Sequence, residues 1–211
     1  MLEANVAPSE ASPVLLTKRQ TDQAGEMAAR AFFNDPMAAW LLPDPAGRMK
    51  RLQTYLKKTL EYGVRYGVVH TTPGEPAGVA AWLSPGRGQF NFYRLVRTGL
   101  LWAPLSLGRE GYRRSMSMDN LSGDLRKSLV RGPHWYLMLL FVEPARQGQG
   151  IGSGLLRPVL AKADEARLPC YLETMTDSDV RFYEKRGFRA VWDGGLPANG
   201  PHMWAMRREP Q

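Results

Sequence analysis

Thiol chemistry is nearly missing from this 211-residue chain: its one cysteine, Cys170, cannot close an internal disulfide. That usage suits a reducing compartment, and a cytoplasmic location is expected. Cys170 sits in the apolar run CYLETM, where the choice is between a small buried hydrophobe and a reactive thiol. The three histidines, His70, His134 and His202, stand far apart with no cysteine or carboxylate at ligand spacing, so no metal site is expected. No apolar run approaches the roughly 20 residues that span a bilayer. The opening MLEANVAPSEASP lacks the basic start and apolar segment of a secretory leader and reads as a disordered lead over residues 1–13. Repeats and dividing linkers are also missing, so residues 14–211 read as one domain.

What the chain does have is positive charge, formally +8, with a sequence pI near 9.8. The basic residues are scattered through RMKRLQTYLKK, YRR, RKSLVR, EKRGFR and MRR, mostly at helical spacing beside apolar partners. That is the pattern of solvated helix faces, so neither nucleic acid nor membrane is the expected partner. A basic surface that draws in a small polyanionic cofactor uses the same charge better. The expected assembly is a monomer or a homodimer.

The periodicities place a first strand at Val14 to Thr17, then a helix capped by Thr21 or Asp22 and stopped by Asn34-Asp35-Pro36. A longer amphipathic helix follows, with Met49, Leu52, Leu56, Leu60 and Val64 on one stripe. VVHTT and PAGVAAWLSP predict a hairpin, and a helical insert runs from about 90 to 130, interrupted at Pro104 and Gly108. WYLMLLFVEP is continuously apolar, as a strand covered on both faces should be. Helix, strand and helix come next in GSGLLRPVLAKADEAR, CYLETM and DSDVRFYEKRG, and FRAVWDG with HMWAMR closes the chain as an antiparallel pair. The expected fold class is α/β, a mixed central sheet flanked by helices.

Between the apolar strand and its following helix lies ARQGQGIGSGLL, with glycines at Gly148, Gly150, Gly152 and Gly154. Helix-start N–H groups have no intrahelical acceptor and carry partial positive charge, and missing Cβ atoms let a phosphate approach them. Strand, glycine loop and helix therefore describe a pyrophosphate cradle. A P-loop is excluded, because no lysine follows the last glycine. The even spacing by two fits a dinucleotide motif poorly, and a glycine-rich turn without ligand is the plain alternative.

The text around the loop narrows the choice. V-E-P-x-x-Q-G-Q-G-I-G-S, followed downstream by R-F-Y-E-K-R-G-F, resembles the GCN5-related N-acetyltransferase (GNAT) family. WYL, LETMTDSDVRFYEKRGF and the closing WAMRR look like the branch that contains puromycin N-acetyltransferase. The resemblance is clear from Trp135 to Arg207 and implies a GNAT fold that uses acetyl-coenzyme A. It implies that Leu140, Phe141 and Val142 present backbone to the pantetheine arm. Gln147, Gly150 and Gly152 match the family's [Q/R]-x-x-G-x-[G/A], and Gly148, Gln149, Ile151 and Ser153 complete the loop that takes the pyrophosphate. Where the family commonly has a cofactor-touching asparagine, seven residues before the tyrosine, this chain has Thr176.

The same resemblance makes Tyr183 the general acid that protonates the departing thiolate, against a ring that merely packs beside Phe182 and Phe188. Period two puts Glu173 and Tyr171 on one side of their strand, which offers Glu173 as general base. The alternatives are a carboxylate paired with a basic neighbour, or a water chain with no single base. Glu143 is read as surface. Phe32, Phe33, Asp35 and Trp40, together with Phe90, Phe92, Tyr93, Trp102 and Tyr112 of the insert, would line a pocket for a bulky small amine. Acetylation of a protein amine and a silent acyl-coenzyme A-binding module are the competing functions.

Overall fold

The computed structural model describes residues 12–86 and 92–211; residues 1–11 of the expected lead and Phe90 of the insert lie outside them. Seven strands form one sheet: β1 Val14–Leu15, β2 Val68–Thr71, β3 Gly78–Leu83, β4 Trp135–Val142, β5 Cys170–Thr174, β6 Arg189–Gly195 and β7 His202–Arg208. Their order across the sheet is β1-β2-β3-β4-β5-β7-β6. All neighbours are antiparallel except β4 and β5, which are parallel. The helices are α1 Thr21–Phe32, α2 Pro36–Leu41, α3 Arg48–Tyr66, α4 Phe92–Thr98, α5 Gly108–Leu129, α6 Ile151–Glu165 and α7 Asp177–Glu184. A 3-10 helix, Leu100–Leu107, joins α4 to α5 and contains Pro104.

β3 is buried along its whole length, and its side chains alternate between two cores. Val79 and Ala81 pack with the residues of α1 and α3, while Ala80 and Trp82 pack with those of α6 and α7. Leu52, Leu56 and Leu60 of the α3 stripe are fully buried as expected, whereas Met49 at its start is 40% exposed. The first strand stops at Leu15 rather than Thr17, because Thr17 and Gln20 form a reciprocal cap on the turn Lys18–Gln20. That turn leads directly into α1, and the Thr21 hydroxyl donates to the Lys18 carbonyl at 2.7 Å instead of capping the helix. Asp35, expected only to stop α1, also starts α2: its carboxylate accepts from the Met37 N–H at 2.8 Å, and Pro36 follows it.

The closing pair forms as predicted, but the last strand, β7, enters the sheet between β5 and β6. Arg208 locks it there. Its guanidinium, almost wholly buried, makes a two-pronged pair with Asp164 of α6 at 2.6 and 2.8 Å. Beside this pair Cys170 is fully buried, and burial pushes its thiol up to about 12. It is a packing residue, inert at neutral pH.

Gly67 ends α3 where the chain turns back against β3. A Cβ there would stand 2.1 Å from the Trp82 carbonyl oxygen, an overlap with backbone that no rotamer relieves. Gly67→Ala should therefore cost about 3 kcal/mol of stability in urea unfolding. An unchanged midpoint would show that the α3–β2 corner is not held against β3.

Candidate active site

The site begins with an irregularity in β4. Ala81 of β3 pairs with Leu139 and Trp82 with Leu137, so Met138 is an extra residue, a β-bulge. On its other edge β4 pairs with β5 only through Trp135, Tyr136 and Leu137. Past the bulge the two parallel strands part, and the β5-facing backbone of Met138 to Val142 has no strand partner. The continuously apolar run packs against a core on each face, with Phe141 in one and Trp135 and Leu137 in the other, and it is the edge toward β5 that is open. Leu139, Leu140 and Val142 are half-buried because they border a cavity of about 540 Å³.

The glycine loop closes one end of that cavity. Gly148 and Gly150 have φ of +77° and +79°, left-handed values that only glycine takes without strain. Gln147 donates from its side chain to the Val142 carbonyl at 3.3 Å, fixing the loop against the end of β4. No side chain caps α6, and no acid stands in its first turn. Its free N–H groups therefore present partial positive charge to the cavity and can hold a diphosphate. Arg146 and Arg186, which sequence reasoning did not single out, line the same end. The Arg186 guanidinium hydrogen-bonds Ser153 Oγ and the Phe182 carbonyl, which ties α7 to the start of α6. Its position in EKRGF, after the tyrosine, was the available signal.

The cofactor residues expected from the sequence line this cavity, with two exceptions. Gln149 is not in its lining, and Thr176 is the N-cap of α7, accepting from the Asp179 N–H at 3.1 Å. Thr176 does not border the cavity; Thr174 and Asp179 do. Tyr183 and Glu173 reach the same cavity from α7 and β5. The Tyr183 ring packs edge-on between Phe182 and Phe188, and burial raises its pKa, so the phenol stays protonated at neutral pH.

Glu173 stands in a more charged setting. Burial pushes its carboxyl from an ordinary 4.5 up to about 7, against the opposing pull of Arg126 and of the Tyr136 and Tyr171 phenols. Asp119, also nearby, pushes in the same direction as burial. The phenols approach the carboxylate, yet Glu173 Oε1 and the Tyr171 hydroxyl are buried without an aligned hydrogen-bond partner. Glu143 pairs with Arg30 at 2.7 Å and lies outside the cavity lining.

The expected specificity residues divide. Phe32 and Asp35 line the cavity. Phe33 instead lies under the Arg48 guanidinium, and Trp40 is buried in the core. The insert's Phe92, Tyr93, Trp102 and Tyr112 face solvent and line none of the cavities described here, a correction to the aromatic pocket. The insert does contribute to a second cavity, through Met118, Asp119, Ser122 and Arg126 of α5. Those residues recur at helical spacing, but a polar stripe on a helix reads as solvated.

A mixed sheet with parted parallel strands, a glycine loop at a helix start, and Glu173 and Tyr183 in the resulting cleft form the architecture on which the family match rests. The profile of the acetyltransferase (GNAT) family matches residues 30–188. The chain belongs to the GNAT acetyltransferase family. It is 28% identical over 165 residues to an uncharacterized N-acetyltransferase of Schizosaccharomyces pombe, an alignment covering 75% of this chain and 66% of that one. It is 33% identical over 95 residues to an acetyltransferase of Agrobacterium fabrum, covering 43% of this chain and 66% of the relative. The alignments thus span just under two thirds of both relatives. Among solved structures, one from Corynebacterium glutamicum described as histone acetyltransferase HPA2 and related acetyltransferase superposes with a TM-score of 0.66 at 20% identity. That likeness covers 95% of this chain and 96% of the other, and it concerns the fold. Among the described residues no helix is long and apolar enough to cross a membrane.

The raised Glu173 fixes a sign for stability. The folded chain holds this proton more tightly than the unfolded chain, so the contribution is full below about pH 4.5 and is lost as pH rises through about 7. The loss approaches about 3 kcal/mol. Glu173→Gln should therefore gain stability relative to the parent between about pH 5 and pH 8 in urea unfolding. Parallel curves for the two proteins would mean that Glu173 ionises freely.

Proposed function

We propose that this chain transfers the acetyl group of acetyl-coenzyme A to the amine of a small molecule, with Glu173 as general base and Tyr183 as general acid. The observation that carries the reading is the shared cleft: the unpaired β4 edge, the glycine loop, Glu173 and Tyr183 all border one cavity. The β4 edge suits a pantetheine arm added like a strand, and the loop with Arg146 and Arg186 suits a diphosphate.

When bound, acetyl-coenzyme A supplies an activated thioester. Glu173, poised near 7, takes a proton from the ammonium so that its nitrogen can attack. Tyr183 donates its phenolic proton to sulfur as the C–S bond breaks and the C–N bond forms, and recovers a proton from the acylated nitrogen through the cleft. Of the two protons the ammonium sheds, one ends on sulfur and the other passes from Glu173 to solvent. The Phe182 and Phe188 rings hold the phenol in place.

The reading covers residues 14–211 as one catalytic domain and favours a small acceptor, because the parted strands open toward a cavity of about 340 Å³ bordered by the insert. A likeness to the puromycin N-acetyltransferase branch rests on WYL, LET and WAM and points the same way.

Tyr183→Phe should lower turnover about 10²-fold or more with acetyl-coenzyme A affinity unchanged by calorimetry. Near-parental turnover removes Tyr183 as the acid. In the parent, turnover at saturating amine should rise as pH passes about 7, the limb set by Glu173, and Glu173→Gln should flatten that limb. Binding of acetyl-coenzyme A without thiol release on any amine would overturn the transfer itself.

A further inference from the structure

Exposed hydrophobic side chains are concentrated in one part of the chain. Ten large ones are exposed among the described residues, and Phe92, Tyr93, Val96, Trp102, Leu105 and Tyr112 are six of them. Phe92, Tyr93 and Trp102 are 70%, 65% and 60% exposed, far more than core packing leaves. Single apolar residues scattered over a surface are ordinary, but a cluster of this kind marks a contact surface.

Two short elements carry most of it. Phe92 and Val96 stand one turn apart on α4 and share a face. Arg94, half a turn round from them, lies 5.2 Å over the Tyr66 ring of α3. In the 3-10 helix Leu100–Leu107, Trp102 and Leu105 are three residues apart and eclipse one another. The buried residues of that helix are Ala103, Pro104 and Leu107, and it packs against α3 and α4. Both elements therefore rest on α3 by their inner faces and turn these four apolar side chains away from it. None of the four borders either cavity, so this face offers no socket for a partner's anchoring side chain.

The charge beside it is of one sign. From Phe92 to Arg114 there are five arginines and a single acid, Glu110, which Arg113 and Arg114 hold at 3.5 and 3.0 Å. Arg97 and Arg109 are exposed, and Arg97 donates to the Tyr93 hydroxyl at 3.0 Å. Over the whole chain the basic residues are dispersed; here they flank the exposed aromatics. A second copy placed face to face would set these arginines against themselves. Apolar side chains, aromatic rings with polar tips and arginines instead fit a plane that is anionic outside and hydrocarbon within. Among the described residues no helix is long and apolar enough to cross a membrane, so the contact is with its surface.

We propose that this face of the insert docks on anionic lipid surfaces, with Phe92, Val96, Trp102 and Leu105 entering the acyl boundary while Arg97 and Arg109 meet headgroup phosphates. The contact is independent of the amine acetylation proposed above, since neither the cleft nor Glu173 takes part in it.

The test is sedimentation of the full chain with phosphatidylcholine vesicles, prepared with and without phosphatidylserine. Two arginine–phosphate contacts predict binding about 10-fold or more tighter to the anionic vesicles, and weakened by salt. Trp102→Ser combined with Leu105→Ser should lower that binding by about 10-fold or more with the melting temperature kept, because both side chains are exposed. Phe92→Ser, on a separate element, should weaken it in the same direction. Arg97→Gln combined with Arg109→Gln should bring the two kinds of vesicle close to equality. No binding of the parent to anionic vesicles overturns the proposal. Binding that survives the Trp102 and Leu105 changes also overturns it, because dispersed basic charge would then suffice. Self-association in light scattering, or retention of a soluble protein, that depends on these residues in a chain that ignores vesicles would give the face to that partner and overturn lipid docking.

Discussion

Everything in this fold depends on two parallel strands that pair for three residues and then separate. Parallel ladders are ordinarily continuous and covered, because unpaired backbone N–H and C=O groups are costly to bury. Here the extra residue Met138 bends β4 at the point where pairing with β5 ends. The groups left without partners beyond it border a cavity rather than a core, so water or a ligand with peptide-like groups can satisfy them. The surrounding sheet stabilises the separation. β3 holds β4 on one edge along its length, and β7 holds β5 on the other.

The separation also sets the electrostatics. Beyond Leu172 the next position on β5 is Glu173, which pairs with Ala205 of β7 but has no partner on β4. Burial and the neighbouring Asp119 raise its pKa, while Arg126 and two phenols restrain the rise. The balance leaves a carboxyl that titrates near 7, in the range suited to the general base proposed for it. At the opposite end, helix-start N–H groups and two arginines provide the positive field. The net charge of +8 is thus put to local use around the glycine loop, although most basic residues remain dispersed.

Much of this was legible before any coordinates. The element order, the hairpin, the insert and the terminal pair follow from periodicity and turn residues, and the glycine loop follows from backbone chemistry. Other features were not. Thr176 looks like a cofactor contact by position, but a hydroxyl preceding an acid-rich first turn is also a good N-cap, and the cap is where it is engaged. Phe92, Tyr93, Trp102 and Tyr112 look like pocket walls by composition, yet they lie on the outer faces of the insert. Met118 and Asp119 carry no signal of their own in the sequence, yet both border the second cavity.

What the sequence determined by itself was local: which segments are strands or helices, where backbone is bare, and which side chains share a face of their own element. Those properties follow from dihedral preferences and repeat lengths within a few residues. Only the tertiary structure decided that β7 enters between β5 and β6, that β4 and β5 part at Met138, and that α5 turns its polar stripe toward Glu173. These are relations between elements far apart in the chain. They are fixed by packing and strand register, which no periodicity within one segment encodes.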